Sequence, residues 1–372
     1  MIRTRRQMPR RSAGPAAPET CSLGGGRFEF LGFAEPAAPT LFSRFDYRPA
    51  GLPPMETLQE ALYLPGQRCL HDADGARLDV SRPTYIEPDA PAWFNATKVA
   101  QVERLSMPLQ IVPPLRAERI SEPVLFLGQV HDHWGHFITD TLARLWALDE
   151  APPGAKLLFA PDPAERMTPL VSALLEAAGV TPDRILRPHG PALFAQLYCP
   201  VQSLQLSRIY QCFEDVHRRI AGRLLGSSGP APPDRPVYLT RSRLGDGLRR
   251  LIGEDELEQR LQREGYDIVS PERLGLAEQM AIFNGEHPVV GAFGSAMHTV
   301  LFRKADAGQR LATLFPEKIP PRFMMVDAVK RSEASYINCI HIEAPDGSRW
   351  RLDPEAAMQR LDAAGLLGVA SV

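Results

Sequence analysis

Ionisable side chains cluster directly after the apolar run PVLFLG, in the middle part of the 372-residue chain. The stretch HDHWGHFITD, residues 131–140, contains three histidines and two aspartates. Imidazole and carboxylate groups bind metal ions in some proteins and move protons in others. The stretch is therefore a metal site, a metal-free acid–base centre, or a polar turn that is rich in histidine.

The metal interpretation rests on the order of the histidines. HDHWGH differs by one residue from the HxHxDH signature of metallo-β-lactamase-type hydrolases, in which an aspartate precedes the last histidine. Gly135 occupies that position here. Further ligands would have to be later residues such as His189 and His217, which lie in a predicted loop and a predicted helix. A metal-dependent hydrolase is the alternative that this pattern leaves open.

The acid–base interpretation rests on helical spacing. His136 and Asp140 are four residues apart and share one face of the helix that is predicted to begin here. The positive end of the helix dipole keeps Asp140 ionised, able to hold an imidazole or to accept a proton. The structural alternative pairs Asp140 with Arg144, again four residues on, and leaves His136 as a capping residue.

A second candidate site is the turn within VVGAFGSAMHTVLF, residues 289–302. A strand is predicted to end at Gly291 and a helix to begin at Ser295. The start of a helix presents unpaired backbone N–H groups, which suit a phosphate. Gly294 lets the backbone approach a ligand closely, and Ser295 is either the N-cap or a donor to the phosphate. An ordinary turn that binds nothing is the alternative.

Arg241 is the third candidate. It ends the predicted strand VYLTR, at the edge where open α/β sheets bind ligands. A guanidinium group there can bind phosphate through two parallel hydrogen bonds. The arginines that follow, at positions 243, 249 and 250, are for the most part better explained as solvated surface charges.

The elements that would position these residues form two halves. Residues 26–120 have the pattern of short extended pieces, and strands and helices alternate from residue 123 onwards. A segment rich in Gly, Ser and Pro interrupts the alternation, which then restarts. Alternating strands and helices predict an α/β fold with parallel sheets. The predicted parts are a disordered tail at 1–25, an N-terminal domain at 26–228, a linker at 229–236, a Rossmann-like C-terminal domain at 237–345, and a C-terminal segment at 346–372 whose amphipathic helix would pack on the first domain.

Composition excludes several classes of function. A net charge of −2 offers no basic face for nucleic acid. No window approaches 18 uninterrupted apolar residues, so no membrane span is predicted. Five cysteines without a CxxC pair predict neither a disulfide framework nor a zinc ribbon. We therefore expect a cytoplasmic protein. Its arginine-rich start is predicted to be disordered, and contact of this segment with the inner membrane surface is a minor alternative.

Taken together, these stretches resemble the family-61 glycosyltransferases, which include capsular polysaccharide biosynthesis-type proteins. The run HWGHFITDTLARLW is similar to that family's motif of an aromatic residue, a histidine, apolar residues, Asp-Thr-Leu and Arg-Leu. The resemblance continues through Arg241, Arg250 before Glu254, the core GYDIVSPERL, Glu278-Gln279 and the GSAMH turn. It covers roughly residues 124–340.

The resemblance implies a GT-B-like architecture, in which two Rossmann-type domains face a cleft behind a β-rich N-terminal entrance. It also implies inverting sugar transfer from a nucleotide sugar, with no obligatory metal or other cofactor. The implied acceptor is a bacterial cell-surface polysaccharide or a lipid-linked glycan, held on the side of His133 and Trp134, with Asp140 or His136 as the base. The implied donor-binding residues are Arg241, Arg250, Glu254, Gln279, Gly294, Ser295, Ala296 and His298.

Three positions depart from the family pattern. Gly253 stands where an asparagine usually lies beside the glutamate, Phe293 replaces a histidine before the glycine, and Thr299 stands where an asparagine commonly follows the histidine. These departures leave a second alternative open, a member that binds nucleotide or glycan without catalysis.

Overall fold

The structure is a computed structural model. It describes residues 19–23, 26–33, 46–65, 70–72, 116–160, 162–163, 167–205, 208–227, 229–244, 251–304, 308–343 and 349–368. Of the predicted site residues, Arg250 lies outside these ranges.

The strands are β1 Glu19–Leu23, β2 Gly26–Leu31, β3 Asp46–Arg48, β4 Met55–Leu58, β5 Ala61–Tyr63, β6 Glu118–Ile120, β7 Val124–Gly128, β8 Lys156–Phe159, β9 Ile185–Leu186, β10 Ala192–Phe194, β11 Leu197–Pro200, β12 Arg208–Tyr210, β13 Val237–Leu239, β14 Leu251–Ile252, β15 Asp267–Val269, β16 Val289–Ala292, β17 Arg310–Phe315, β18 Glu333–Asn338, β19 Ile340–Ile342 and β20 Trp350–Leu352. Helix α1 is composite, with an α turn at Trp134–His136, a π turn at Phe137–Thr141 and a 3-10 stretch at Leu142–Leu148. The other helices are α2 Pro169–Ala178, α3 Gln211–Leu225, α4 Glu254–Arg263, α5 Leu276–Ile282, the 3-10 helix α6 Ser295–Phe302, α7 Pro321–Val329 and α8 Pro354–Ala363.

The largest sheet has the strand order β1-β2-β18-β17-β16-β13-β15. Its strands are parallel except that β1 runs antiparallel to β2. Strand β13 comes first after the linker and lies between β15 and β16, so the direction of winding reverses between β13 and β16. Open α/β sheets bind ligands at such a switch point, beyond the carboxyl ends of the strands.

A second sheet belongs to the first half of the chain and has the order β4-β11-β7-β8-β9. Strands β11, β7, β8 and β9 are parallel, and β4 is antiparallel to β11. All five residues of β7 are buried, as the apolar run predicts. Because α1 follows β7, the histidine-rich stretch lies at the carboxyl end of this sheet. The predicted α/β class with parallel sheets is thus confirmed, while the GT-B arrangement of two facing domains stays a prediction.

The structure differs from the predicted boundaries at the N-terminal end. Residues 19–23, assigned to a disordered tail, form β1, and β2, assigned to the first domain, pairs with β18 in the sheet of the second half. The reason is burial: Phe28 and Phe30 are almost fully buried and pack against Tyr336 of β18. Their alternation predicts a strand, but the sheet that the strand joins depends on a partner some 300 residues away.

The prediction for the C-terminal helix is also wrong in its partner. Helix α8 packs chiefly on α4 and β18 of the second half. Ala357 and Leu361 are fully buried in one cluster with Leu257 and Leu261 of α4. The amphipathic pattern predicts the helix and its apolar face, but it does not specify the surface that covers this face.

Helix α3 joins the two halves. Phe213 lies in the apolar core beside the large sheet, and Val216 and Ile220 lie in the core beside the second sheet. The buried carboxylate of Glu214 is 2.8 Å from Nζ of Lys330, which directly follows α7.

In the part of the chain that the structure describes, no helix is both long and apolar enough to cross a membrane.

Candidate functional site

The predicted pair at the start of α1 is formed. Nδ1 of His136 lies 2.6 Å from Oδ2 of Asp140, so the two residues share one helix face as their spacing requires. The side chain of Asp140 is 2% exposed and that of His136 is 51% exposed. The carboxylate is therefore buried behind the imidazole, and the imidazole is the member of the pair that a ligand can reach.

Arg322 is the second partner of Asp140. Its Nη1 lies 2.5 Å from Oδ1 of Asp140 and 2.6 Å from Oγ1 of Thr139. Arg144, the partner in the structural alternative, donates instead to the carbonyl oxygen of Pro200 at 2.7 Å. That alternative is therefore wrong about the partner. No motif indicated Arg322, because it lies 182 residues after Asp140 and only the fold brings the two together.

The charge state of Asp140 follows from these contacts. Burial by itself would raise the pKa of the carboxyl, but the Arg322 guanidinium and the hydrogen bond from His136 outweigh it and hold that pKa well below its usual range. Asp140 is thus ionised at neutral pH and poorly suited to accept a proton. Of the two predicted bases, His136 is the exposed one, which a substrate hydroxyl can reach.

The pair faces a cavity of about 460 Å³ to which both halves of the chain contribute. The lining residues are His133, Gly135, His136, Thr139, Arg241, Phe293, Gly294, Ser295, His298, Arg322, Phe323 and Trp350. A Cβ atom on Gly135 would lie only 3.0 Å from Cβ of Ser295, so α1 and α6 approach closely at this glycine. Five of the predicted donor and catalytic residues line one cavity (His136, Arg241, Gly294, Ser295 and His298), together with His133 from the predicted acceptor side.

Arg241 and the turn after β16 meet at the switch point of the large sheet. Nη1 of Arg241 donates to the carbonyl oxygen of Phe293 at 2.8 Å. A Cβ atom on Gly294 would lie 2.7 Å from that nitrogen, so the glycine makes room for Arg241. Helix α6 is a 3-10 helix with Gly294, not Ser295, at the N-cap position. Its first N–H groups still have no partner within the helix, as the prediction of an anion site requires.

Glu254 does not line the cavity, but its side chain binds the backbone of Arg241. Its Oε1 accepts hydrogen bonds from the backbone N–H of Arg241 at 2.9 Å and from the hydroxyl of Tyr238 at 3.0 Å. Gly253 before it has φ 88°, a left-handed conformation that favours glycine and is also open to asparagine. Glycine in place of the family's usual asparagine at position 253 is therefore compatible with the same backbone conformation.

Aromatic rings form another part of the cavity lining. Phe293 stacks on Trp350 with 4.3 Å between ring centroids, and Phe323 lies 4.4 Å from the ring of His298. Burial, together with the nearby Arg322, lowers the pKa of His298 to about 3, so this imidazole is neutral. Trp350 and Phe323 were not predicted, because neither belongs to a motif that indicates a site.

One comparison with known proteins bears on the family. Residues 134–310, just under half of the chain, match the family model described as Glycosyltransferase 61. This match supports a family-61 glycosyltransferase. The matched segment runs from the start of α1 into β17 and contains His136, Asp140, Arg241 and Ser295, whereas Arg322 follows it. No curated protein matches the chain.

Besides Glu254, three residues that the resemblance implied lie outside the cavity lining. Gln279 donates to the carbonyl oxygen of Leu274 at 3.1 Å within the turn before α5. Ala296 packs against the core beside the large sheet. Trp134 donates from Nε1 to Oγ1 of Thr299 at 3.2 Å, so the altered Thr299 links α1 to α6. These side chains stabilise the surroundings of the cavity.

The metal alternative finds no support in the histidine cluster. The ring of His136 lies 5.4 Å from that of His131 and 5.3 Å from that of His133, measured between centroids. Among the described residues, no three His, Cys, Asp or Glu side chains form a group that could hold a metal ion. His189 is exposed in a loop, and His217 is buried in α3.

The stability of the protein should depend on pH through Glu254. Burial raises the pKa of this carboxyl from 4.5 to about 7. As pH rises from about 4.5 to 7 the unfolded chain ionises first, so the folded state loses on the order of 3 kcal/mol relative to it. Glu254→Gln removes this loss. We expect the variant to match the native protein at pH 4.5 and to be more stable at pH 8 in urea unfolding.

Burial also raises the pKa of Asp327 to about 7, but this residue is present in both proteins. The difference between their free energies of unfolding, measured as a function of pH, therefore isolates the effect of Glu254. A difference in stability that stays constant between pH 4.5 and 8 would contradict the prediction.

Proposed function

We propose that this glycosyltransferase moves a sugar from a nucleoside diphosphate sugar to a hydroxyl group of a glycan or lipid-linked glycan. Transfer inverts the anomeric carbon and needs no obligatory metal ion. The observation that carries the proposal is the shared cavity, which is lined by His136 and by the guanidinium groups of Arg241 and Arg322, with Asp140 hydrogen-bonded to His136 behind the lining. Such a cavity can hold an acceptor hydroxyl beside a base and a diphosphate beside cations.

In the proposed step, Nε2 of His136 takes the proton of the acceptor hydroxyl. The hydroxyl oxygen forms a bond to the anomeric carbon from the face opposite the diphosphate, and the carbon–oxygen bond to the diphosphate breaks with its electron pair. Direct displacement of this kind inverts the anomeric centre. Asp140 accepts the Nδ1–H of His136 and stabilises the imidazolium that forms, as a buried carboxylate does in other acid–base pairs.

The leaving diphosphate gains negative charge, which Arg241, Arg322 and the first N–H groups of α6 are placed to offset. These fixed positive groups do the electrostatic work that a divalent cation does in metal-dependent transferases, and they support the proposal of metal independence. Phe293, Phe323 and Trp350 give the rest of the lining aromatic faces, which suit a nucleobase or a sugar ring.

The proposed setting is bacterial cell-surface polysaccharide synthesis, such as capsule assembly, in the cytoplasm. Among the described residues, Cys199, Cys212 and Cys339 are free thiols, as a reducing compartment would leave them. A lipid-linked acceptor would bring the enzyme to the inner membrane surface.

A screen of nucleotide sugars tests the proposal. One nucleoside diphosphate sugar is expected to raise the melting temperature and to be consumed with a glycan acceptor in the presence of EDTA. NMR of the product should show the anomeric configuration opposite to that of the donor. Turnover that needs stoichiometric zinc would favour the hydrolase alternative, and binding without turnover across a broad acceptor panel would favour the inactive alternative.

The Arg241→Ala variant tests the predicted donor side of the cavity. Loss of a buried charge partner should weaken binding of the nucleoside diphosphate by roughly 2–5 kcal/mol in titration calorimetry. Arg243→Ala, two residues on and outside the cavity lining, should bind normally. Equal affinity of the Arg241→Ala variant and the native enzyme, with the fold intact by circular dichroism, would remove Arg241 from the site.

A further inference from the structure

His217 lies where three helices meet. It belongs to α3 and is fully buried. Its ring packs between Phe213 of the same helix and Phe302 of α6, with centroids 4.5 and 5.1 Å away. Its Nε2 lies 2.9 Å from the carbonyl oxygen of Ile138, within the π turn of α1. One imidazole thus contacts the second half of the chain and the turn that carries Asp140.

The π turn sets the geometry of the catalytic pair. An extra residue in one turn rotates the residues beyond it by about 100° relative to a regular α-helix. Such turns persist where a side chain enters the backbone hydrogen-bond ladder. Ile138 is two residues before Asp140 and two after His136, so its carbonyl belongs to the stretch of backbone that joins the members of the pair. A donor bound to this carbonyl fixes that stretch of backbone.

A carbonyl oxygen lies within hydrogen-bond distance of each ring nitrogen of His217, but a neutral imidazole has only one N–H to donate. Nδ1 lies 2.7 Å from the carbonyl oxygen of Phe213, four residues earlier in α3. Burial lowers the pKa of His217 to about 4, so at neutral pH only one ring nitrogen carries hydrogen. The carbonyl of Phe213 can already accept the backbone N–H of His217, four residues on in the same α-helix. A hydrogen on Nε2 instead serves the carbonyl of Ile138, in the irregular turn.

We propose that His217 is a positioning residue, whose Nε2–H donated to the carbonyl of Ile138 holds the π turn in which Asp140 lies and so keeps the Asp140 carboxylate in contact with His136. The inference rests on the proposed role of that pair in sugar transfer. His217 touches no substrate and acts only through α1.

Two amide variants separate this role from simple packing. Glutamine places its amide nitrogen near the position of Nε2, and asparagine places it near the position of Nδ1, while both lose the ring between Phe213 and Phe302. His217→Gln should keep most of the native kcat, whereas the kcat of His217→Asn should be about 10–100-fold lower at the same donor KM. The melting temperatures of the two variants should agree.

Equal kcat values, a faster asparagine variant, or activity that follows the melting temperature would each overturn the inference. Histidine ¹⁵N chemical shifts test it in the native protein without any variant. Hydrogen on Nε2 of His217 is expected, and hydrogen on Nδ1 would overturn it.

Asp140→Asn distinguishes the two proposals. A fully active Asp140→Asn variant would end the proposed role of the pair, whatever His217 does. An inactive Asp140→Asn variant, found together with equal activity of the His217→Gln and His217→Asn variants, would overturn only the inference about His217.

Discussion

The Asp140→Asn variant is expected to fold, to bind a nucleoside diphosphate, and to turn over about 10²–10⁴-fold more slowly than the native enzyme. Asparagine keeps the shape of the side chain but carries no charge to stabilise the imidazolium of His136. The cost therefore arises mainly in the transition state, so kcat falls while donor affinity stays close to native. Steady-state kinetics and titration calorimetry on the same preparation measure the two quantities.

Three further variants complete this experiment. His136→Ala should lose a similar factor in kcat, and the double variant should lose little more, because the two residues act as a unit. Asp149→Asn is the matched control, since it makes the same substitution at the far end of α1, beside the surface residue Arg219, and should leave kcat unchanged. Losses that multiply in the double variant, or an Asp140→Asn enzyme with native kcat, would show that the pair is not the acid–base unit.

Arg322→Ala is expected to lower the free energy of unfolding by about 3 kcal/mol. The substitution leaves the buried carboxylate of Asp140 without its guanidinium partner, and the remaining His136 compensates only in part. Arg322 is 21% exposed and Asp140 only 2%, so solvent screens this ion pair weakly. Urea unfolding at pH 7 measures the loss.

A double-mutant cycle shows whether the effect arises at Asp140. In the Asp140→Asn background, Arg322→Ala should cost much less, because no buried carboxylate is then left unpaired. Arg219→Ala removes a surface ion pair with Asp149, where the aspartate is 57% exposed, and should cost less than about 1 kcal/mol. If Arg322→Ala is equally costly with and without the Asp140 carboxylate, the loss comes from packing and the assigned ion pair is unimportant.

Local sequence determined much of this protein. The buried run at β7, the helix that ends at Gly179 with φ 106°, and the strand–turn–helix around Gly294 all follow from residue periodicity and from turn chemistry. The contact between His136 and Asp140 was predictable too, since residues four apart in one helical stretch share a face. Arg241 was placed by a rule about strand ends, which needs no knowledge of distant partners.

Only the tertiary structure decided which distant groups meet these elements. Arg322 reaches Asp140 across 182 residues of chain, β2 joins the sheet of the second half, and α8 covers α4. Each of these pairings depends on apolar faces and charges that have many compatible partners along the chain, so a local pattern specifies the face and not its partner. The same holds for the predicted base: spacing left Asp140 and His136 as equals, whereas the contact with Arg322 keeps the buried Asp140 ionised and leaves His136 as the exposed member of the pair.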